Sequence, residues 1–372
     1  MNFELSDEQS VVSDLAGRII ADHATTARVK AVEAAAGFDR ELWAAMADAG
    51  LLALCLPEAD GGSGMGMVEF ALIAEAQGRH VAPVPTVPTI ATAMVIAQHG
   101  SAELRSAVMP GVADGSLLLS SALAESGAND VRTTTVRATP VAGGYRLRGY
   151  KPAVPYGQFA ARVLVPAHDG EGNVALFAVD TTDAGVGIEA AVTTDRQAAA
   201  HLTLDTVVPE WAKFGTADTL TELVLTFTTG WSAVHLGVAE GALAITADHV
   251  RTRNQFGRPL SAFQAVGQRA ADGYITTEAL RVTTMNAAWR MAEHLPAAHD
   301  VLVAAYWASE GGQQVTLACQ HLHGGIGADI DYPVHRYFQW SSQLANTLGT
   351  ASSHLARLGT MLADDAHRRV TR

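Results

Sequence analysis

The sequence predicts a mixed α and β fold in which helices come first, strands follow and helices return. Short runs rich in β-branched residues, separated by Gly, Asp and Asn, occupy roughly residues 117–215, and segments with helical periodicity lie on both sides. Helices and strands do not alternate, which disfavours a doubly wound dinucleotide-binding fold. The 372 residues, 48% of them hydrophobic, are enough for two or three packed units.

The first segment is predicted to be helical. Ser6 followed by Gln9 forms a capping box, which marks the start of a helix. A second helix is expected over 41–49, ending at Gly50. Pro110 is expected to stop the last helix of this segment. The remaining predicted helices cover 67–78, 88–99 and 102–109.

The middle and last segments differ in residue composition and in hydrophobic periodicity. The β-branched runs have the spacing of an antiparallel barrel or sandwich; they cover 117–123, 133–141, 144–151, 161–167, 173–180 and 199–205. The chain after Gly215 is rich in Ala, and Ser261 is the expected cap of its second helix. The predicted C-terminal helices cover 219–251, 261–293, 298–322 and 339–364.

Charge and cysteine content exclude several classes of function. Lys and Arg number 25 against 38 Asp and Glu, so the net charge of −13 repels nucleic acids and anionic membranes. No apolar run reaches the ~18 to 20 residues of a membrane span. Cys55 and Cys319 are far apart, which excludes a disulfide scaffold and a cysteine-based zinc site. We expect a soluble cytoplasmic protein.

The segment RTRNQFGRPLSAFQ, residues 251–264, has the residue types of a nucleotide-binding arm. The guanidinium of Arg251 or Arg253 can bind a pyrophosphate through two hydrogen bonds, and Phe256 can pack against a heterocycle. The alternative is a helix–turn–helix whose basic residues offset the helix dipole. The spacing alone does not decide between the two.

The segment HLHGGIGADIDYPVHRYF, residues 321–338, contains a glycine-rich turn. Gly324, Gly325 and Gly327 allow backbone N–H groups to approach an anion, although a turn that merely ends a helix has the same composition. His321, His323 and His335 form only a weak metal-binding pattern, so we expect no metal site.

These two segments occur in a defined order together with four others, FELSDEQ, FDRELWAAMADAGLLALCLPEADGGSGMG, ALAESGAND and GYRLRGYK. Taken as an ordered set, the segments resemble the acyl-CoA dehydrogenase family, and the resemblance covers nearly the whole chain. The resemblance implies an N-terminal helical domain (1–118), a middle antiparallel β-barrel (119–216) and a C-terminal four-helix bundle (217–372). It also implies FAD bound between subunits, and α,β-desaturation of a CoA thioester. A glutamate takes the α-proton, the flavin takes the hydride, and an electron-transfer flavoprotein takes the electrons.

The chain departs from the family at the positions that carry the chemistry. The two positions where the family places its catalytic glutamate correspond to Leu348, before Gly349, and to Phe227. Neither side chain can accept a proton, so no catalytic residue is assigned. The family's Trp-x-Thr segment, which contacts the flavin ring, is replaced after Lys151 by residues 152–156, PAVPY. Tyr156 is a candidate substitute for one of the lost side chains.

By resemblance, the retained residues are those that reach across an interface to a neighbour's FAD. They are Arg253, Phe256, Gly324, Gly325 and Gly327, with His321 and His323 in place of the family's usual glutamine and aromatic residue. The hypothesis is that this chain is the partner of a second, glutamate-bearing subunit, similar to the smaller subunits of actinobacterial α2β2 acyl-CoA dehydrogenases that act on steroid side chains. Two alternatives stay open. One is a homomeric enzyme with Glu240 or Glu222 as base, although Glu240 is expected to be a surface or pairing residue; the other is a scaffold without flavin.

Overall fold

The computed structural model describes residues 4–127, 130–170 and 172–370. Its first segment is helical, as predicted, and the Ser6–Gln9 capping box is present. The ALAESGAND turn lies partly outside the described residues. The helices are α1 Asp7–His23, α2 Thr26–Ala35, α3 Arg40–Asp48, α4 Met67–Arg79, α5 Thr86–His99 and α6 Ala102–Ala113.

Two features of this segment differ from the sequence prediction. Helix α2 was missed because it buries only Val29 and Val32 and so has little amphipathic contrast. The prediction that Pro110 ends α6 is wrong, since the helix continues to Ala113. Pro110 lacks an N–H donor, but its carbonyl still accepts the Asp114 N–H at 3.1 Å, and burial of neighbouring apolar side chains offsets the lost bond.

The middle segment forms one eight-stranded sheet, mostly antiparallel. The strand order is β6-β7-β3-β2-β4-β5-β8, with β1 beside β4; β1 and β2 each run parallel to β4. Strand β6 was not predicted because it is an edge strand without clear apolar alternation. The strands are β1 Leu119–Ser121, β2 Arg137–Val141, β3 Gly144–Pro155, β4 Arg162–His168, β5 Val174–Asp180, β6 Val186–Val192, β7 Ala198–Pro209 and β8 Lys213–Phe214.

The last segment is helical again, which confirms the mixed fold class. The single helix predicted over 339–364 is wrong: it is two helices, because Leu348 (φ 62°) and Gly349 (φ 136°) interrupt it. Ser261 lies in a short 3₁₀ turn and does not cap the next helix, which begins at Gln264. The helices are α7 Ala217–Thr252, α8 Gln264–Ala292, α9 Ala298–His323, α10 Val334–Leu344 and α11 Ala351–Val370.

The predicted domain limits, 1–118, 119–216 and 217–372, stay a prediction. Among the described residues, no helix has the length and apolar character needed to cross a membrane.

Helices α4 and α7 join the first and last segments through direct backbone contact. A Cβ added at Gly237 would lie 1.9 Å from the carbonyl oxygen of Glu75, and one added at Gly78 would lie 1.9 Å from that of Val234. At Gly241 the corresponding distance to the Arg79 carbonyl oxygen is 2.3 Å. Only glycine allows the two helices to approach so closely.

We expect Gly237→Ala to lower the free energy of unfolding by about 1–3 kcal/mol, because its methyl group would force the two backbones apart. Gly17→Ala is the matched control within helix α1, since a Cβ at Gly17 meets nothing within 4 Å. This control should stabilise the chain by ~0.5–1 kcal/mol. Urea unfolding of both variants is the measurement, and equal effects would contradict the close helix contact.

Candidate functional site

The C-terminal ends of α7 and α9 lie side by side and bring the two predicted binding motifs together. His249, one turn before Arg253, stacks on His323, which directly precedes Gly324. The ring centroids of the two imidazoles are 4.4 Å apart, with an interplanar angle of 24°. The arginine arm (residues 251–264) and the glycine turn (residues 324–328) are therefore neighbours at one end of the helical bundle, although they are far apart in sequence.

The arm after α7 is a small hairpin that points a large apolar ring into solvent. Strands β9 (Asn254–Gln255) and β10 (Arg258–Pro259) pair around Phe256, whose side chain is 91% exposed. Phe256 has a φ of 52°, a conformation that bulky residues rarely adopt. Arg253 is also exposed and caps the end of α7. A guanidinium and a phenyl ring are thus both presented outward.

The glycine turn has an open side and a closed side. Gly324 and Gly325 are exposed, and a Cβ at either would meet nothing within 4 Å. Gly327 is buried; a Cβ there would lie 2.9 Å from the carbonyl oxygen of Gln320, whose side-chain amide donates to the Gly327 carbonyl. Gly327 therefore closes the turn, whereas the other two leave its backbone accessible to a ligand.

His321 lies beside this turn on the exposed face of α9. It lines a cavity of about 410 Å³ between α8 and α9, together with Arg269, Asp272 and Gln314. His335 is directed elsewhere, with its Nδ1 2.7 Å from the Tyr332 carbonyl oxygen. Within the described part of the chain, no group of three or more His, Cys, Asp or Glu side chains is arranged to hold a metal ion.

The residues that follow Lys151 enclose little internal space. Tyr156 is buried, and its hydroxyl donates to Gln197 Oε1 at 2.8 Å; the Gln197 amide donates to Asp195 Oδ2 at 2.6 Å. With Trp231, these side chains line a cavity of about 70 Å³. Small-molecule sites usually have ~300–1,000 Å³, so this space is too small for a tricyclic ring. The Tyr156 side chain therefore occupies the space beside residues 152–156, and the cavity that remains there is too small for a flavin ring.

Asp195 was not predicted from the sequence. Its carboxyl group is 3% exposed, and burial raises its pKa, although hydrogen bonds from Thr193 and Gln197 oppose that shift. Gln197 links Asp195 to Tyr156, which follows β3 and is distant in sequence, so no local pattern marks the group.

The two positions predicted to correspond to the family's base are both apolar. Phe227 is 1% exposed in the core, and Leu348 packs against the same core at the break between α10 and α11. Glu240 pairs with Arg79 and Arg281, which confirms its interpretation as a pairing residue. Glu222 lies 2.8 Å from His99 Nε2. Glu240 is thus engaged in ion pairs with two arginines, and Glu222 lies within hydrogen-bond distance of a histidine.

Comparison with known proteins identifies the family. The acyl-CoA dehydrogenase N-terminal domain matches residues 6–116, and the C-terminal domain of the same enzymes matches residues 229–362. The chain belongs to the acyl-CoA dehydrogenase family. Acyl-CoA dehydrogenase FadE27 of Mycobacterium tuberculosis is 40% identical over 337 residues, which cover 88% of this chain and 89% of the relative.

Two solved structures are also similar along nearly their whole length. The steroid acyl-CoA dehydrogenase Tcur3481-Tcur3483 is 46% identical, with a TM-score of 0.92 and coverage of 97% of this chain and 99% of that one. The ChsE4-ChsE5 complex from M. tuberculosis is 38% identical, with a TM-score of 0.93 and coverage of 98% and 99%. The predicted acyl-CoA dehydrogenase fold is therefore confirmed.

Proposed function

We propose that this chain is a subunit of a heteromeric, FAD-dependent acyl-CoA dehydrogenase. In this proposal it lacks the usual catalytic glutamate and helps to hold the FAD of a partner subunit that carries the glutamate. The two similar structures support a heteromeric assembly, because one is named as the ChsE4-ChsE5 complex and the other as Tcur3481-Tcur3483. The name of the latter, a steroid acyl-CoA dehydrogenase, supports a CoA thioester with a steroid side chain as substrate.

The observation that carries the proposal is the contrast between two places in the chain. Arg253, Phe256 and Gly324 are exposed at one end of the bundle. The cavity beside Tyr156 holds only about 70 Å³, and Leu348 and Phe227 provide no carboxylate. Groups suited to a dinucleotide outside the chain are exposed, whereas the cavity beside Tyr156 is small and the two expected base positions carry no carboxylate.

The exposed residues fit the dinucleotide half of FAD. Arg253 would donate two hydrogen bonds to pyrophosphate oxygens, and the N–H groups of the glycine turn would donate to the same anion. Phe256 would pack against the adenine ring, and His321 lies beside the turn. When bound, FAD supplies the acceptor for the substrate's β-hydride.

Proton removal in this proposal belongs to the partner. A positioned carboxylate base contributes ~10²- to 10⁴-fold to the rate, and this chain has none at the two expected positions. An electron-transfer flavoprotein is the proposed electron acceptor.

Co-expression with a glutamate-bearing member of the same family tests the proposal. We expect the complex to purify yellow, with one FAD for each pair of chains, and the chain alone to purify without flavin. Flavin absorbance and protein quantification give the ratio. A lone chain that is yellow and active would overturn the proposal; loss of that activity in Glu240→Gln would then identify a homomeric enzyme.

A further inference from the structure

We propose that His249 and His323 are positioning residues that make the binding of FAD by the arginine arm and the glycine turn dependent on pH. As a neutral stacked pair they hold the arginine arm and the glycine turn together, and protonation of the pair separates them. This inference rests on the proposed function, because it concerns the regulation of the same site.

The histidine pair lies directly beneath the exposed binding residues. His323 is 6% exposed and His249 is half-buried. Tyr332 closes the third side, with its ring centroid 5.2 Å from that of His323 and 6.4 Å from that of His249. Three rings from α7, from α9 and from the segment before α10 therefore form one small cluster.

The hydrogen bond of His323 fixes its tautomer. Its Nδ1 lies 2.8 Å from the Cys319 carbonyl oxygen, which can only accept, so Nδ1 carries the hydrogen. Nε2 is then a bare acceptor, buried and without a hydrogen-bond partner among the described residues. A proton on Nε2 would create a buried N–H donor with no acceptor, which is costly.

Burial and the nearby positive charges also oppose protonation of His249 and His323. Burial lowers the pKa of His249, and the nearby His323 and Arg253 lower it further; burial lowers the pKa of His323 as well. The carboxylate on this side, Asp248, is already paired with Arg251.

The other titratable groups of the cluster stay neutral. Burial raises the pKa of the Tyr332 hydroxyl, and it raises that of the Cys319 thiol to about 11. Neither group can therefore compensate a positive charge on the imidazoles.

Movement of either imidazole ring would shift the residues that are proposed to bind FAD. The His249 carbonyl accepts the Arg253 N–H at 2.9 Å, and His323 is followed directly by Gly324, whose φ of 62° begins the turn. Because burial lowers the folded pKa values of both histidines below the usual 6.5, the neutral stack predominates above that pH. Its stability is lost as the pH falls through the folded values.

The test is the dissociation constant of FAD from the heteromeric complex, measured by flavin fluorescence between pH 8 and pH 5. We expect it to rise about tenfold for each pH unit below the folded pKa of the pair. His323→Phe and His249→Phe retain an aromatic ring but remove a titrating group, so both should flatten this pH profile. His294→Gln, at an exposed histidine after α8, should retain the wild-type profile.

Two outcomes separate this inference from the proposed function. If Arg253→Ala weakens FAD binding but His323→Phe and His249→Phe retain the wild-type pH profile, the histidine inference is overturned alone. If Arg253→Ala has no effect on FAD, the proposed function falls. NMR titration of the imidazoles of the wild-type chain gives a second readout: both should titrate below 6.5, and titration at 6.5 or above would also overturn the inference.

Discussion

Arg253→Ala is expected to weaken the binding of FAD to the heteromeric complex by about 10- to 100-fold. The side chain is exposed at the end of α7 and would make charge-assisted hydrogen bonds to the pyrophosphate, whose combined contribution at this exposed position is ~1.5–3 kcal/mol. Flavin content after gel filtration and a fluorescence titration with FAD measure the loss. Complex formation itself should persist, because the substitution removes no buried contact.

Arg251→Ala is the matched control for this prediction. Arg251 lies one position before the last residue of α7 and is exposed like Arg253, but its guanidinium is paired with Asp248. We expect FAD binding to change less than threefold in this variant. Equal losses in both variants would indicate a diffuse charge effect, and no loss in either would favour the scaffold alternative.

Lys151→Met is expected to lower the free energy of unfolding by about 3–5 kcal/mol. The Lys151 and Glu125 side chains are 0% and 2% exposed and form an ion pair, with Thr134 also near the ammonium group. Removing one partner leaves the other charge buried and unpaired, which is the costly case for a buried pair. Urea unfolding at pH 7 measures the change.

The double variant Lys151→Met with Glu125→Gln is the control, because it removes both charges. It should recover part of the lost stability; a double variant as unstable as the sum of two single losses would contradict the pairing. Burial opposes ionisation of Glu125, but hydrogen bonds from Lys151 and Thr135 outweigh it, and the pKa of Glu125 is lowered. The contribution of this carboxylate is therefore present above its unfolded pKa and is lost as the pH falls through the lowered folded value.

Local signals in the sequence predicted most of the fold. The capping box at Ser6 and the long apolar periodicity of the helices need only neighbours along the chain, so they could be recognised. The break at Leu348 could not, because a leucine gives no sign of a left-handed backbone. Likewise α6 continues beyond Pro110 because of burial that only tertiary packing provides.

The candidate site was predicted in part for the same reason. The glycine turn and the arm around Arg253 and Phe256 are local motifs, and the structure places them beside each other. The stack of His249 on His323 that joins them pairs residues from two different helices. The Tyr156–Gln197–Asp195 chain joins a residue that follows β3 to two residues in the turn between β6 and β7. No periodicity or spacing records such contacts.

The length of helix α7 has a consequence for substitutions along it. It is one continuous helix of 36 residues, and Trp231 beside the small cavity lies ~33 Å along its axis from Arg253. Substitutions at one end are too distant to disturb packing at the other. Sequence changes near Trp231 and near Arg253 can therefore accumulate independently, with additive effects on the free energy of unfolding.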